Sequence, residues 1–213
     1  MPRARPDTTT APRSATPAAI PAASLRPAPA ETPVKVVDMG CGKGYLTFGV
    51  ATLLGPKARI TGVEARPELV RTCNEAAARH GLSNLTFVAG KIASPLVTNS
   101  QSQISNSQDV LIALHACDTA TDQALALGIQ NRAALLVTSP CCHKECRPQL
   151  QLPEALQPLL SEGILRERLA EMCTDTVRRL LLESQGFQST ISELVDPEDS
   201  GKNLLLSGVL NRT

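Results

Sequence analysis

The residues whose types and spacing could first do chemistry are Asp38, Gly40, Gly42 and Gly44, inside the run VVDMGCGKGYLTFGV at 36–50. An apolar β-type stretch precedes them and a helical one follows, so the glycines occupy a strand-to-helix turn. Glycine supplies positive φ there and lets a ligand lie against bare backbone. A phosphate-gripping loop would need G-x-x-x-x-G-K-[ST]; the span from Gly40 to Gly44 is too short, and Lys43 is followed by Gly44. The dinucleotide fingerprint G-x-G-x-x-G fails as well, because the third glycine comes one place early. An acid at Asp38 would repel a pyrophosphate, whereas it suits a ligand that carries positive charge.

The set Val37, Asp38, Gly40, Gly42 and Gly44 resembles the first motif of class I S-adenosylmethionine-dependent methyltransferases, V-[DE]-x-G-x-G-x-G. The resemblance implies S-adenosyl-L-methionine as cofactor. It further implies that Glu64, ending ITGVEA, accepts both ribose hydroxyls, an interaction that suits a charged acceptor. Ala65, Lys91, Ile92 and Leu114 complete the expected cofactor-binding set. Lys91 departs from the pattern: relatives carry an acid there for the adenine amine, and an ammonium has no acceptor.

Two further polar clusters follow expected strands, LHACDTATDQAL at 114–125 and SPCCHKEC at 139–146. In an open parallel sheet, ligands bind outside the strands' carboxyl ends, so both clusters should meet beside the methyl donor. LHACDTATD followed by P-C-C-H-x-E is similar to a methyltransferase subgroup that includes the domain of a glutathione-transferase-like protein. More distantly it resembles tRNA 2′-O-methyltransferases of the acceptor stem. The likeness runs from Val34 to Leu210 and takes in CTDTVRRLLLESQGF and GKNLLLSGV. Methyl transfer needs alignment and, for a hydroxyl or ammonium acceptor, removal of a proton. The candidate catalytic residues are Asp118, His115 and His143, with Asp118 first; Asp118 could equally cap the next helix. Cys117, Pro140, Cys141 and Cys142 are the candidate substrate-facing residues. No metal is expected, because adjacent cysteines are a poor substitute for the C-x2–4-C pairs of zinc sites. Cys41, Cys73 and Cys173 read as packing residues.

The elements that must position these residues alternate. Strands are expected at 34–40, 59–65, 85–92, 109–116 and 134–139. Helices are expected at 45–54, from Pro67 to near His80 with Gly81 as stop, at 119–131, 153–161 and 166–185. Two final strands, 189–195 and 204–210, should pair antiparallel across the turn DPEDSGKN. The fold class is α/β: a Rossmann-like seven-stranded methyltransferase sheet, mostly parallel with one antiparallel strand and helices on both faces. Residues 1–33, rich in Ala, Pro and Thr, read as a disordered tail, and 34–213 as the methyltransferase domain.

With 2% aromatic residues, the core must be built from Leu, Val, Ile and Ala. A net charge of +1 offers no basic excess for gripping nucleic acid unaided, and four aromatic rings (Tyr45, Phe48, Phe87, Phe187) are few for base stacking. The methyl acceptor therefore stays open among RNA, protein and small molecule. Seven cysteines, an odd number, with no signal-type apolar block point to reduced thiols and the cytoplasm, with organelle targeting by 1–33 as the alternative. No membrane-spanning run is present in the sequence. The rival readings are a non-catalytic binding module of the same fold and, further off, a nicotinamide-dependent oxidoreductase.

Overall fold

The computed structural model describes residues 32–92, 108–114, 116, 118–194 and 203–211. Nearly all of the expected tail, most of the polar loop at 98–108, most of the turn at 196–203, His115 and Cys117 lie outside the described residues.

Strand β1 (Val34–Met39) is apolar on both sides because both its faces are covered. Val36 points into a core with helices α1 (Tyr45–Leu54) and α2 (Pro67–Arg79), through Ala51, Cys73 and Ala77. Val37 and Met39 point the other way. They join Ala124 and Leu125 of α3 (Thr119–Gln130) and Leu182 of α5 (Gly163–Ser184). The sheet adds β2 (Ala58–Glu64), β3 (Leu85–Ala89), β4 (Val110–Leu114), β5 (Leu135–Ser139), β6 (Phe187–Glu193) and β7 (Leu204–Leu210). Its order is β3-β2-β1-β4-β5-β7-β6, with β7 alone antiparallel to its neighbours. This is the Rossmann-like methyltransferase architecture. Strand order reverses between β1 and β4, which opens a crevice at their carboxyl ends.

The sequence-based bounds shift where a partner runs out. Strand β3 stops at Ala89 because its pairing with β2 ends at Glu64↔Ala89, leaving Gly90, Lys91 and Ile92 outside the ladder. Strand β4 stops at Leu114, opposite Ser139, and Pro140 then brings no N–H. The helix expected at 153–161 is a 3-10 turn (Glu154–Leu156) and a single turn, α4 (Pro158–Ser161), each set off by a proline. Cys173 corrects another expectation: it sits on the exposed side of α5, while Cys73 is buried and Cys41 half-buried. Among the described residues no helix is long and apolar enough to cross a membrane.

With few aromatics, one ring carries much of the packing beside the glycine turn. A Cβ on Gly44 would lie 2.8 Å from the Phe87 ring and one on Gly62 2.5 Å, so these two glycines make room for Phe87. The ring also meets Phe48 at a centroid distance of 5.3 Å. Phe87→Ala is therefore expected to cost about 3–5 kcal/mol in urea unfolding; a loss below about 1 kcal/mol would contradict this packing.

Candidate active site

The glycine turn is stitched to the neighbouring strand before it reaches α1. The N–H groups of Gly40 and Cys41 both donate to the Val63 carbonyl, at 2.8 and 3.0 Å, and Gly44 N–H donates to the Cys41 carbonyl at 2.8 Å. All three motif glycines have positive φ. A Cβ on Gly42 would meet nothing within 4 Å, so this side of the turn is open space bordered by backbone. Over Gly40, Ile92 Cδ1 comes within 3.5 Å of the Cβ position, so the expected Ile92 does reach the turn. Lys91 is exposed, and Leu114 is half-buried at the end of β4.

Asp38 is only 4% exposed and accepts a 2.7 Å hydrogen bond at Oδ2 from Thr47 Oγ1, one turn into α1. Burial pushes its pKa up, and the Thr47 hydroxyl pulls it partly back. The neighbouring Cys41 thiol is pushed up to about 12 by burial and then by Asp38, so it stays protonated and is no nucleophile.

Glu64 ends β2 one strand away. Its Oε2 accepts from Gly42 N–H at 2.9 Å, which ties the glycine turn to the second acid. Its Oε1 accepts from Arg66 N–H at 3.1 Å and from Arg66 Nε at 2.8 Å, while Arg66 Nη2 reaches Oε2 at 3.3 Å. The Arg66 hydrogen bonds hold the Glu64 pKa below the usual carboxylate value, against burial. Ala65, between them, is exposed. The two acids on adjacent strands therefore have pKa values shifted in opposite directions, Asp38 up and Glu64 down.

The second half of the site is built around Asp118. It stands at the N-cap position of α3, yet its side chain caps nothing there. Both carboxylate oxygens instead accept from Glu145 N–H at 3.2 Å, bridging the β4 and β5 loops. The backbone of Asp118 has φ 57° and ψ −126°, a conformation that non-glycine residues rarely adopt and that neighbouring contacts must hold in place. The contact beneath is Arg178 of α5, 3% exposed, whose Nη2 donates to the Asp118 carbonyl at 3.2 Å. Arg178 also grips Asp122 through Nε and Nη2, at 2.7 and 2.9 Å, and Asp175 through Nη1 at 3.0 Å. Asp122, the acid in the first turn of α3, is thus one side of a two-pronged ion pair.

Of the β5-loop residues, Pro140 is buried, and Cys141 and Cys142 are half-buried with their Sγ atoms 3.7 Å apart. His143 is 1% exposed and lies close enough to Asp175 to favour that carboxylate's charge, although burial dominates and raises the Asp175 pKa. Sequence reasoning missed Arg178 and Asp175. The signal was present: Glu171, Asp175 and Arg178 share the helical spacing of buried Ala170 and Leu182, so charge sits on an inward face. Among the described residues no group of three or more His, Cys, Asp or Glu side chains is placed to hold a metal ion.

A family model described as a methyltransferase domain matches residues 18–149. The 23S rRNA (uracil(1939)-C(5))-methyltransferase RlmD of Shewanella sp. (strain ANA-3) is 40% identical over 72 residues, 34% of this chain and 15% of that protein. The glutathione S-transferase C-terminal domain-containing protein of Mus musculus is 28% identical over 109 residues, 51% of this chain and 16% of that protein. The chain thus spans about a sixth of the length of these curated relatives. Among solved structures, the fibrillarin pre-rRNA processing protein of Methanococcus jannaschii aligns with a TM-score of 0.53 at 15% identity, over 85% of this chain and 68% of that one. A precorrin-6y C5,15-methyltransferase from Geobacter metallireducens GS-15 aligns at 0.52 and 11%, over 89% and 85%. At such identities these likenesses speak for the fold alone.

Removing Arg178 would leave the buried Asp175 without its hydrogen-bond donor beneath a strained turn. Arg178→Met is expected to lose about 3–5 kcal/mol in denaturant unfolding, and an unchanged midpoint would show that the ion-pair cluster holds nothing together.

Proposed function

The chain belongs to the family of methyltransferase domains, and from that premise we propose that it transfers a methyl group from S-adenosyl-L-methionine to a nucleophilic acceptor. The observation that carries this reading is the open space at Gly42, whose N–H donates to the Glu64 carboxylate, with a second acid, Asp38, at the end of the strand that leads into the turn. A diphosphate would meet two negative charges there; a nucleoside with a positive sulfur and an ammonium would meet two partners. When bound, S-adenosylmethionine supplies a methyl carbon on a cationic sulfur, open to displacement. Asp38 offers its carboxylate to the cationic end, Glu64 accepts from the ribose hydroxyls, and Ile92 offers an apolar surface beside the turn. Lys91, exposed and lacking acceptor capacity in its side chain, leaves the adenine amine to backbone carbonyls.

Asp118 is the base or orienting group in this proposal, since it is half-buried at the carboxyl end of β4, whereas His143 is enclosed beside Asp175. The Asp118 carboxylate would orient the acceptor and take its proton, while bound S-adenosylmethionine would supply the methyl group. Cys141 and Cys142, both half-buried, line the acceptor side in this proposal. RNA is the first acceptor class to test, on the partial match to RlmD. A cytoplasmic location belongs to the same proposal, on the reading of an odd number of cysteines as reduced thiols.

Isothermal titration with S-adenosylmethionine and S-adenosylhomocysteine tests the cofactor; no binding of either at millimolar ligand would end the reading. Asp118→Asn is expected to keep the affinity and lower methyl transfer from tritiated donor into fractionated cell extract by about 100-fold or more. Equal transfer would remove Asp118 from the chemistry. The fraction that takes up label identifies the acceptor class, and binding without transfer into any fraction would favour a non-catalytic module.

The pH dependence has a defined sign. Because burial raises the Asp38 pKa, its ionised form disfavours folding, and that contribution to stability is full at low pH and lost as pH rises through the raised value. A cationic ligand needs the ionised form, so affinity for S-adenosylmethionine should fall with acidification, starting above the ordinary carboxylate value of 3.8. Glu64, whose pKa is lowered, stays charged over that window. The uncharged 5′-methylthioadenosine should show no such loss, and equal acid sensitivity of both ligands would contradict the role of Asp38.

A further inference from the structure

The carboxylate of Glu64 has about four acceptor directions, and four donors already fill them: Gly42 N–H, Arg66 N–H, Arg66 Nε and Arg66 Nη2. Two of the four are backbone groups that cannot leave. Gly42 belongs to the stitched turn, and Arg66 is the N-cap of α2, its carbonyl accepting from Leu69 and Val70. The other two belong to the Arg66 side chain, which is 60% exposed. That side chain takes one direction on each carboxylate oxygen, Nε on Oε1 and Nη2 on Oε2. A ribose diol needs one direction on each oxygen as well. The guanidinium and the diol therefore compete for the same slot.

We infer that Arg66 is a displaceable latch on the nucleoside site: its guanidinium takes the two carboxylate directions that a vicinal diol would use and must swing into solvent before a ribonucleoside can be held by Glu64. The inference rests on the cofactor reading above and adds a residue that sets affinity by competing, not by touching the ligand. The guanidinium end of the latch is exposed to solvent while Glu64 is buried, so the guanidinium can leave without being desolvated and its hold weakens with salt.

The test uses the full chain and neutral or net-neutral probes: 5′-methylthioadenosine and S-adenosylhomocysteine, which carry the diol, and 2′,3′-dideoxyadenosine, which lacks it. Arg66→Ala should bind both diol ligands about threefold more tightly than the parent protein. Affinity of the parent protein for 5′-methylthioadenosine should rise between low and high sodium chloride, while that of Arg66→Ala stays flat. Dideoxyadenosine, which has no use for Glu64, should bind both proteins alike at every salt concentration. Weaker or unchanged binding of the diol ligands by Arg66→Ala overturns the latch and leaves the cofactor reading standing. Failure of both proteins to bind any of the three overturns the cofactor reading and the latch with it.

Discussion

Two carboxylates, Asp38 and Glu64, lie at the ends of adjacent parallel strands, and the site depends on keeping both near one glycine-rich turn. Parallel pairing sets their separation: Asp38 lies opposite Gly62, so Glu64 projects two residues further along. The same device holds turn and acids together, since Val63 accepts from Gly40 and Cys41 while Glu64 accepts from Gly42. Their electrostatics differ because their surroundings differ. Asp38 is sunk into apolar packing with one hydroxyl for company; Glu64 sits under a guanidinium. A ligand with cationic and diol ends can exploit both, the first by relieving an uncompensated buried charge, the second by replacing existing donors.

The acceptor side obeys a different constraint. A left-handed, non-glycine backbone at Asp118 is held between the β5 loop above and Arg178 below. Arg178 joins α5 to both the Asp118 carbonyl and the first turn of α3, so a helix remote in sequence fixes the turn that carries the candidate base. His143 interacts with the same cluster through Asp175, which ties the PCCH segment to α5.

Local spacing made much of this legible. Gly55 and Pro56 stop α1 where the sequence says they should, Pro67 opens α2, and the acid-glycine pattern marks the turn before any strand is placed. What stayed hidden was long-range or competitive. Arg178 pairs with an acid 56 residues away, and Arg66 looks like an ordinary surface charge until its distances to Glu64 are known. The ends of β3 and β4 were overestimated because a strand's length depends on its partner, which a single run of apolar residues does not specify.

The central claim is that a nucleoside cofactor lies over the turn at Gly40, Gly42 and Gly44. Amide shifts of isotope-labelled protein, followed by NMR during titration with S-adenosylhomocysteine, test it most directly. The account predicts large shifts at those three glycines, at Arg66 and at Ile92, with α3 and the outer face of α5 unmoved. Shifts concentrated in the apolar groove between α3 and α5, around Leu125, Ile129 and Leu181, with the glycines silent, would contradict it.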